Sequence, residues 1–137
     1  MDLKLACLYE IKLPSNPASI AEVENLIERT CSELKVNEDS FGNILISVTE
    51  GVNNAILHGN KGDLATFVTL SILSNDAWIC FRVQDQGTGF DPDSIPDPTA
   101  PENLLKENGR GIFLMKSLSD NLVFEKNGAL VNIYFRR

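Results

Sequence analysis

Apolar residues recur at every second position near the start of the chain: Leu3, Leu5, Cys7, Tyr9, Ile11 and Leu13. A period of two turns one face of a strand toward a core, so residues 3–13 are predicted as a strand. The pattern then changes. Asn16-Pro17 reads as an N-cap followed by proline at the first helical position, where a missing N–H breaks no bond, and the helix it opens is predicted to run to about Leu34. Asn37 is placed to cap a second helix that continues to about Leu57 and breaks at His58-Gly59-Asn60-Lys61-Gly62. Two strands are expected near residues 65–73 and 77–84, joined by Ser74-Asn75-Asp76, and the second alternates clearly through Ile79, Phe81 and Val83.

From Gly87 to Asn108 no periodicity is sustained, and Pro92, Pro96, Pro98 and Pro101 stand among scattered acids. An irregular segment of that length in a compact domain is functional or disordered. A short helix is expected after Gly111. The chain then closes in a hairpin, with residues 121–126 and 130–136 joined by a turn at Asn127-Gly128. The predicted order β-α-α-β-β-loop-α-β-β has too many strands for crossover helices to cover both faces. This implies an α+β fold, with a mixed sheet and its helices on one face. No repeat, low-complexity tract or linker divides the chain, so residues 1–137 are expected to form one domain.

Composition adds limits. At 137 residues the chain can bury roughly two-thirds of its unfolded surface without disulfides. The net charge of −7, with no local run of Lys or Arg, argues against direct nucleic-acid binding and favours a partner with basic patches. Cys7, Cys31 and Cys80 are odd in number and lack metal-ligand spacing; Cys7 and Cys80 fall in strand patterns, where a free thiol acts as a small hydrophobe. That usage implies a reducing compartment. The first thirteen residues resemble neither a signal peptide nor a membrane span, and a cytoplasmic location is expected.

Candidate chemistry lies on the second helix and on two glycine turns. On a helical wheel with Glu50 at zero, Asn54 falls at about 40°, Ser47 at about 60°, His58 at about 80° and Gly51 at about 100°. Phe41, Ile44, Leu45, Val48, Val52, Ala55 and Ile56 fill the apolar arc opposite. Glu50 and Asn54 are thus expected to project side by side from a small polar face, with Gly51 clearing space for a ligand. An Asn oxygen suits Mg²⁺, and a neighbouring Glu can take a proton from an attacking hydroxyl. The same pair is also compatible with a solvated helix face. Asp85 ends a strand where Gly87-Thr88-Gly89 begins, and glycines there permit close backbone approach. Gly109-Arg110-Gly111 opens the third helix, whose free N–H groups suit an anion such as phosphate. The segment between the two turns would serve as a lid. His58, the only histidine, can cap the helix, support a nucleotide loop or accept a phosphoryl group. Trp78 is read as core or edge packing.

Glu50-xxx-Asn54, Asp85-x-Gly87-x-Gly89 and Gly109-x-Gly111 stand in the order of the N, G1 and G2 boxes of the GHKL (Bergerat-fold) ATPase superfamily. The likeness covers essentially the whole chain. Within the superfamily it most resembles the small anti-sigma-factor serine kinases, through Ser47-Val48-Thr49-Glu50-Gly51-Val52-Asn53-Asn54-Ala55, His58-Gly59-Asn60, Gly87-Thr88-Gly89-Phe90-Asp91-Pro92 and Gly109-Arg110-Gly111-Ile112. The resemblance implies a two-layer α/β sandwich, a mainly antiparallel sheet, a mobile ATP lid, and ATP with Mg²⁺ as cofactors. It implies Glu50 as general base and Asn54 as Mg²⁺ ligand. Asp85 would be the acceptor for the adenine amino group, Gly87 and Gly89 the shape of the adenine-side loop, and Gly109, Arg110 and Gly111 a phosphate cradle.

The implied substrate is a serine on a small STAS-domain anti-anti-sigma protein. A sigma factor is a further implied partner and a homodimer an implied assembly. Many members carry Gly-Thr entering the last strand; this chain reads Gly128-Ala129-Leu130, without that hydroxyl. Glu22 stands near the position where better-studied anti-sigma factors place an Arg for partner contacts. Two alternatives to the kinase are an ATP-gated binding module without transfer and a histidine-kinase-type catalytic domain acting in trans.

Overall fold

The computed structural model describes residues 4–87 and 107–137. Its elements are β1 (Ala6–Pro14), α1 (Ser19–Glu33), α2 (Glu38–Asn54), a π-helical turn (Ala55–Gly59), β2 (Phe67–Ser74), β3 (Trp78–Gln84), α3 (Glu107–Leu118), β4 (Asn121–Glu125), a 3-10 turn (Lys126–Gly128) and β5 (Leu130–Arg136). The five strands lie in the order β1-β2-β3-β5-β4. All four pairings are antiparallel, so the α+β class holds and the sheet sits at the antiparallel end of what was expected.

Strand alternation selects the inner face. Val68, Leu70 and Ile72 of β2, Ile79, Phe81 and Val83 of β3, and Val131, Ile133 and Phe135 of β5 are all buried. They meet Val23 and Ile27 of α1, Ile44, Val48 and Val52 of α2, and Ile112 and Met115 of α3 in one core. Each such side chain contributes about 1.5–3 kcal/mol by leaving water, and together they hold the helices on one face. The other face is crossed by a polar ladder. Ser71 Oγ donates to Glu10 Oε1 at 3.2 Å, Arg82 Nε to Asn132 Oδ1 at 2.8 Å, and Asn132 Nδ2 to Glu125 Oε2 at 2.9 Å.

The element ends differ from expectation for identifiable reasons. β1 starts at Ala6 and carries a register shift between Cys7 and Tyr9, a bulge that breaks the two-residue phase. Cys7 is consequently exposed, contrary to its reading as a packed hydrophobe, whereas Cys31 and Cys80 are buried and their thiols pushed up to about 11 by desolvation. Asn16 does not cap α1 directly. Its Oδ1 accepts the Ala18 N–H at 2.9 Å, forming a turn that delivers the chain into a helix starting at Ser19. α1 ends in a Schellman arrangement, with Val36 N–H donating to Cys31 O at 2.9 Å and Lys35 at positive φ where glycine is usual. α2 is capped as expected, Asn37 Oδ1 accepting the Ser40 N–H at 2.8 Å. It does not simply stop near Leu57. Past Asn54 it widens into the π turn, with Asn60 N–H donating to Ala55 O at 2.8 Å.

Candidate active site

α2 packs between α1 and α3 and touches β3 and β5. Ile44, Val48, Val52, Ala55 and Ile56 are buried, as the wheel requires. Ser47 and Gly51 are buried as well, which corrects their placement on an open polar face. The reason is α3. A Cβ on Gly51 would lie 3.3 Å from Met115 Sδ and 3.3 Å from Ile133 Cδ1, so this glycine admits α3 and the sheet rather than a ligand. Ser47 Oγ has no hydrogen-bond partner among the described residues.

Glu50 and Asn54, one turn apart, are only half-buried. Neither side chain has a hydrogen-bond partner among the described residues. Their side-chain polar groups therefore remain accessible to solvent or to a ligand. Both face Gly111. A Cβ there would stand 3.0 Å from Glu50 Oε2 and 3.7 Å from Asn54 Oδ1, so the absence of a side chain keeps the space beside them open. α3 begins at Glu107, earlier than expected. Gly109 therefore falls in its first turn, where N–H groups lack intrahelical acceptors, while exposed Arg110 and buried Gly111 stand further inside.

Asn54 leads into the π turn, and the end of that turn, Gly59, meets Asp85. π turns recur at functional sites because they redirect the chain as it leaves a helix. A Cβ on Gly59 would overlap the Asp85 carboxylate, and one on Gly87 would overlap the Gly59 carbonyl oxygen. Asp85 Oδ1 accepts the Gly87 N–H at 2.8 Å, and the Asp85 backbone N–H donates to Ala129 O at 2.8 Å. Burial raises the Asp85 pKa, and the Gly87 N–H partly offsets this. Oδ2 packs against Gly59 and has no hydrogen-bond partner among the described residues. Gly59 and Asn60 were legible as a helix break and as part of the family-like stretch His58-Gly59-Asn60, but not as partners of the Asp85 turn. The signal that could have singled them out was a Gly-Asn pair immediately after the ligand-facing helix.

Gly89 and residues 90–106 of the lid expected at 90–108 lie outside the described residues, and its last two residues fall in α3. His58 is exposed and makes no hydrogen bond among the described residues, so it does not cap the helix. Trp78 packs edge-on to Tyr134 at 6.2 Å with the Arg136 guanidinium 5.0 Å over its ring, a packing role as expected. No group of three or more His, Cys, Asp or Glu suited to a metal occurs among the described residues. A divalent ion here would take Asn54 and complete its shell from phosphate and water, a donor set that fits Mg²⁺. Among the described residues no helix is long and apolar enough to cross a membrane.

Residues 13–135 match the family described as "Histidine kinase-like ATPase domain". The chain is 26% identical over 132 residues to serine-protein kinase RsbW of Staphylococcus epidermidis, covering 90% of this chain and 83% of that protein. It is 26% identical over 131 residues to serine-protein kinase RsbW of Bacillus velezensis, covering 88% and 79%. Against the anti-sigma F factor of Geobacillus stearothermophilus it is 31% identical over 98 residues, covering 69% and 66%. With the family match running from the end of β1 into β5, this chain belongs to the histidine kinase-like ATPase domain family, and is similar within it to anti-sigma-factor kinases.

Proposed function

We propose that this chain is a Mg-ATP-dependent serine kinase that phosphorylates a small STAS-type anti-anti-sigma protein and so governs a sigma factor. The observation that carries the reading is the half-buried Glu50–Asn54 pair, one helical turn apart and both facing Gly111. The names of the relatives, serine-protein kinase and anti-sigma factor, support the substrate and partner classes.

Asp85 and the glycines around it hold the adenine, with Oδ2 accepting from its amino group. Asn54 would hold Mg²⁺, which when bound would neutralise phosphate charge. Gly109, Arg110 and Gly111, near the start of α3, cradle the phosphates, and Gly89 helps shape the adenine-side loop. Glu50 orients the partner serine and takes its proton as the serine oxygen–phosphorus bond forms and the bond to ADP breaks. Phosphoryl transfer needs mainly this positioning and charge neutralisation.

Gly111→Ala probes the arrangement. A methyl 3.0 Å from Glu50 Oε2 displaces the carboxylate by a few tenths of an ångström. The kcat for transfer should fall about tenfold, since such displacements are costly in a reacting geometry. Thermal stability should change little, and an unchanged kcat would contradict the placement of Glu50. The function itself is tested by incubating the chain with ATP, Mg²⁺ and a STAS-domain protein of the same organism, then locating the modification by mass spectrometry. Phosphoserine on that protein supports the reading. ATP binding without modification would favour a gated binding module.

A further inference from the structure

Continuing the Thr69↔Gln84 register by two residues would bring Phe67 opposite Gln86, where the two could exchange backbone hydrogen bonds. They do not. The side chain of Asn60, only 5% exposed, is inserted between them. Gln86 N–H donates to Asn60 Oδ1 at 2.7 Å, and Asn60 Nδ2 donates to Phe67 O at 2.9 Å. The carboxamide thus stands in for a peptide group. Asn60 Nδ2 also donates to Ser15 Oγ at 2.9 Å, and Gln86 Oε1 accepts the Phe67 N–H at 2.6 Å.

The opposite edge of β3 behaves differently. Gln84 pairs with Leu130, and Asp85 N–H continues to Ala129 O at 2.8 Å. One edge of the strand end therefore stays closed on β5 while the other is wedged open from β2. That asymmetry sets the direction in which residues 85–87 leave the sheet, and they leave it toward Gly59, against which the Asp85 carboxylate and Gly87 are packed.

We infer that Asn60 is a positioning residue for base recognition: its carboxamide wedge between β2 and β3 holds Asp85 at the angle from which it can accept from adenine. The inference rests on the reading of Asp85 as the adenine acceptor. A buried Asn kept only for stability would affect every ligand alike. A wedge acting through Asp85 affects ligands that carry the base.

The test is calorimetric titration of the full chain with ATP, GTP and inorganic tripolyphosphate, each with Mg²⁺. Wild type should prefer ATP to GTP. In Asn60→Ala, ATP affinity should fall about tenfold, the scale of one or two hydrogen bonds, with tripolyphosphate affinity within about twofold. The KM for ATP should rise while kcat at saturation holds. Exposed Gln86, replaced by Ala, removes the Phe67 N–H partner without opening the core, and should move ATP affinity about threefold in the same direction. It also serves should Asn60→Ala fail to fold. Equal losses for ATP and tripolyphosphate, or unchanged ATP affinity in whichever variants fold, would overturn the inference. A wild type that binds ATP and GTP equally would instead overturn the reading of Asp85 itself.

Discussion

Glu50→Ala is expected to lower phosphoryl transfer about 10²- to 10⁴-fold, the range that a positioned general base supplies. ATP affinity should stay within about threefold of wild type, because no phosphate or base contact is assigned to this carboxylate. The separation follows from geometry. Glu50 shares its helix face with Asn54 one turn away, and both side chains face the space that a Cβ on Gly111 would occupy. Removing the carboxylate therefore enlarges an open space and leaves the core residues Val48 and Val52 untouched. Glu50→Gln should lose transfer to a similar extent, since the amide keeps the shape but cannot take the proton. Transfer rates and equilibrium titration on the same preparations check both halves. Retained transfer in either variant would remove Glu50 from the mechanism.

Asp85→Asn should weaken ATP binding about 100-fold, the scale of losing a hydrogen bond to a charged acceptor and leaving two donors opposed. Asp85 has two acceptor oxygens, and one already takes the Gly87 N–H at 2.8 Å. An asparagine has a single acceptor. If it keeps the Gly87 bond, its NH₂ meets the adenine amino group, donor against donor. If it turns, the Gly87 N–H is left facing that NH₂. GTP presents an acceptor at the same point, so the preference for ATP should narrow or reverse.

The nucleotide-free protein should respond oppositely. Burial raises the Asp85 pKa, so the ionised group costs stability. That raised pKa gives a contribution fully present below the unfolded value and lost as pH rises through the folded one. At neutral pH Asp85→Asn should therefore raise the melting temperature without nucleotide, and the gain should shrink as pH falls. A variant that lowers both stability and ATP affinity at neutral pH would mean that the carboxylate is structural.

Much of this was legible in the chain. The alternation of Ile79, Phe81 and Val83 placed β3, and the arc through Ile44, Val48 and Val52 placed the buried face of α2. Asn37 was recognisable as a cap because its side chain and position suffice for one. What the sequence hid depends on contacts between distant residues. Gly51 looked like room for a ligand until α3 was seen packed against it, a contact that no local pattern encodes. The bulge at Cys7 is invisible to a two-residue period because it is the point where the period fails. Asn60 looked like punctuation after a helix. Its partners Ser15, Phe67 and Gln86 are 45, 7 and 26 residues away in the chain, and only folding brings them together.

The measurement that bears most directly on the central claim is transfer of labelled γ-phosphate from ATP in a lysate of the source organism, with wild-type chain and Glu50→Ala side by side. The account predicts a small labelled protein that appears only with wild type and Mg²⁺, its label stable to acid as phosphoserine is. An acid-labile label would point to histidine. ATP binding by the wild-type chain with no labelled band at all would contradict a kinase.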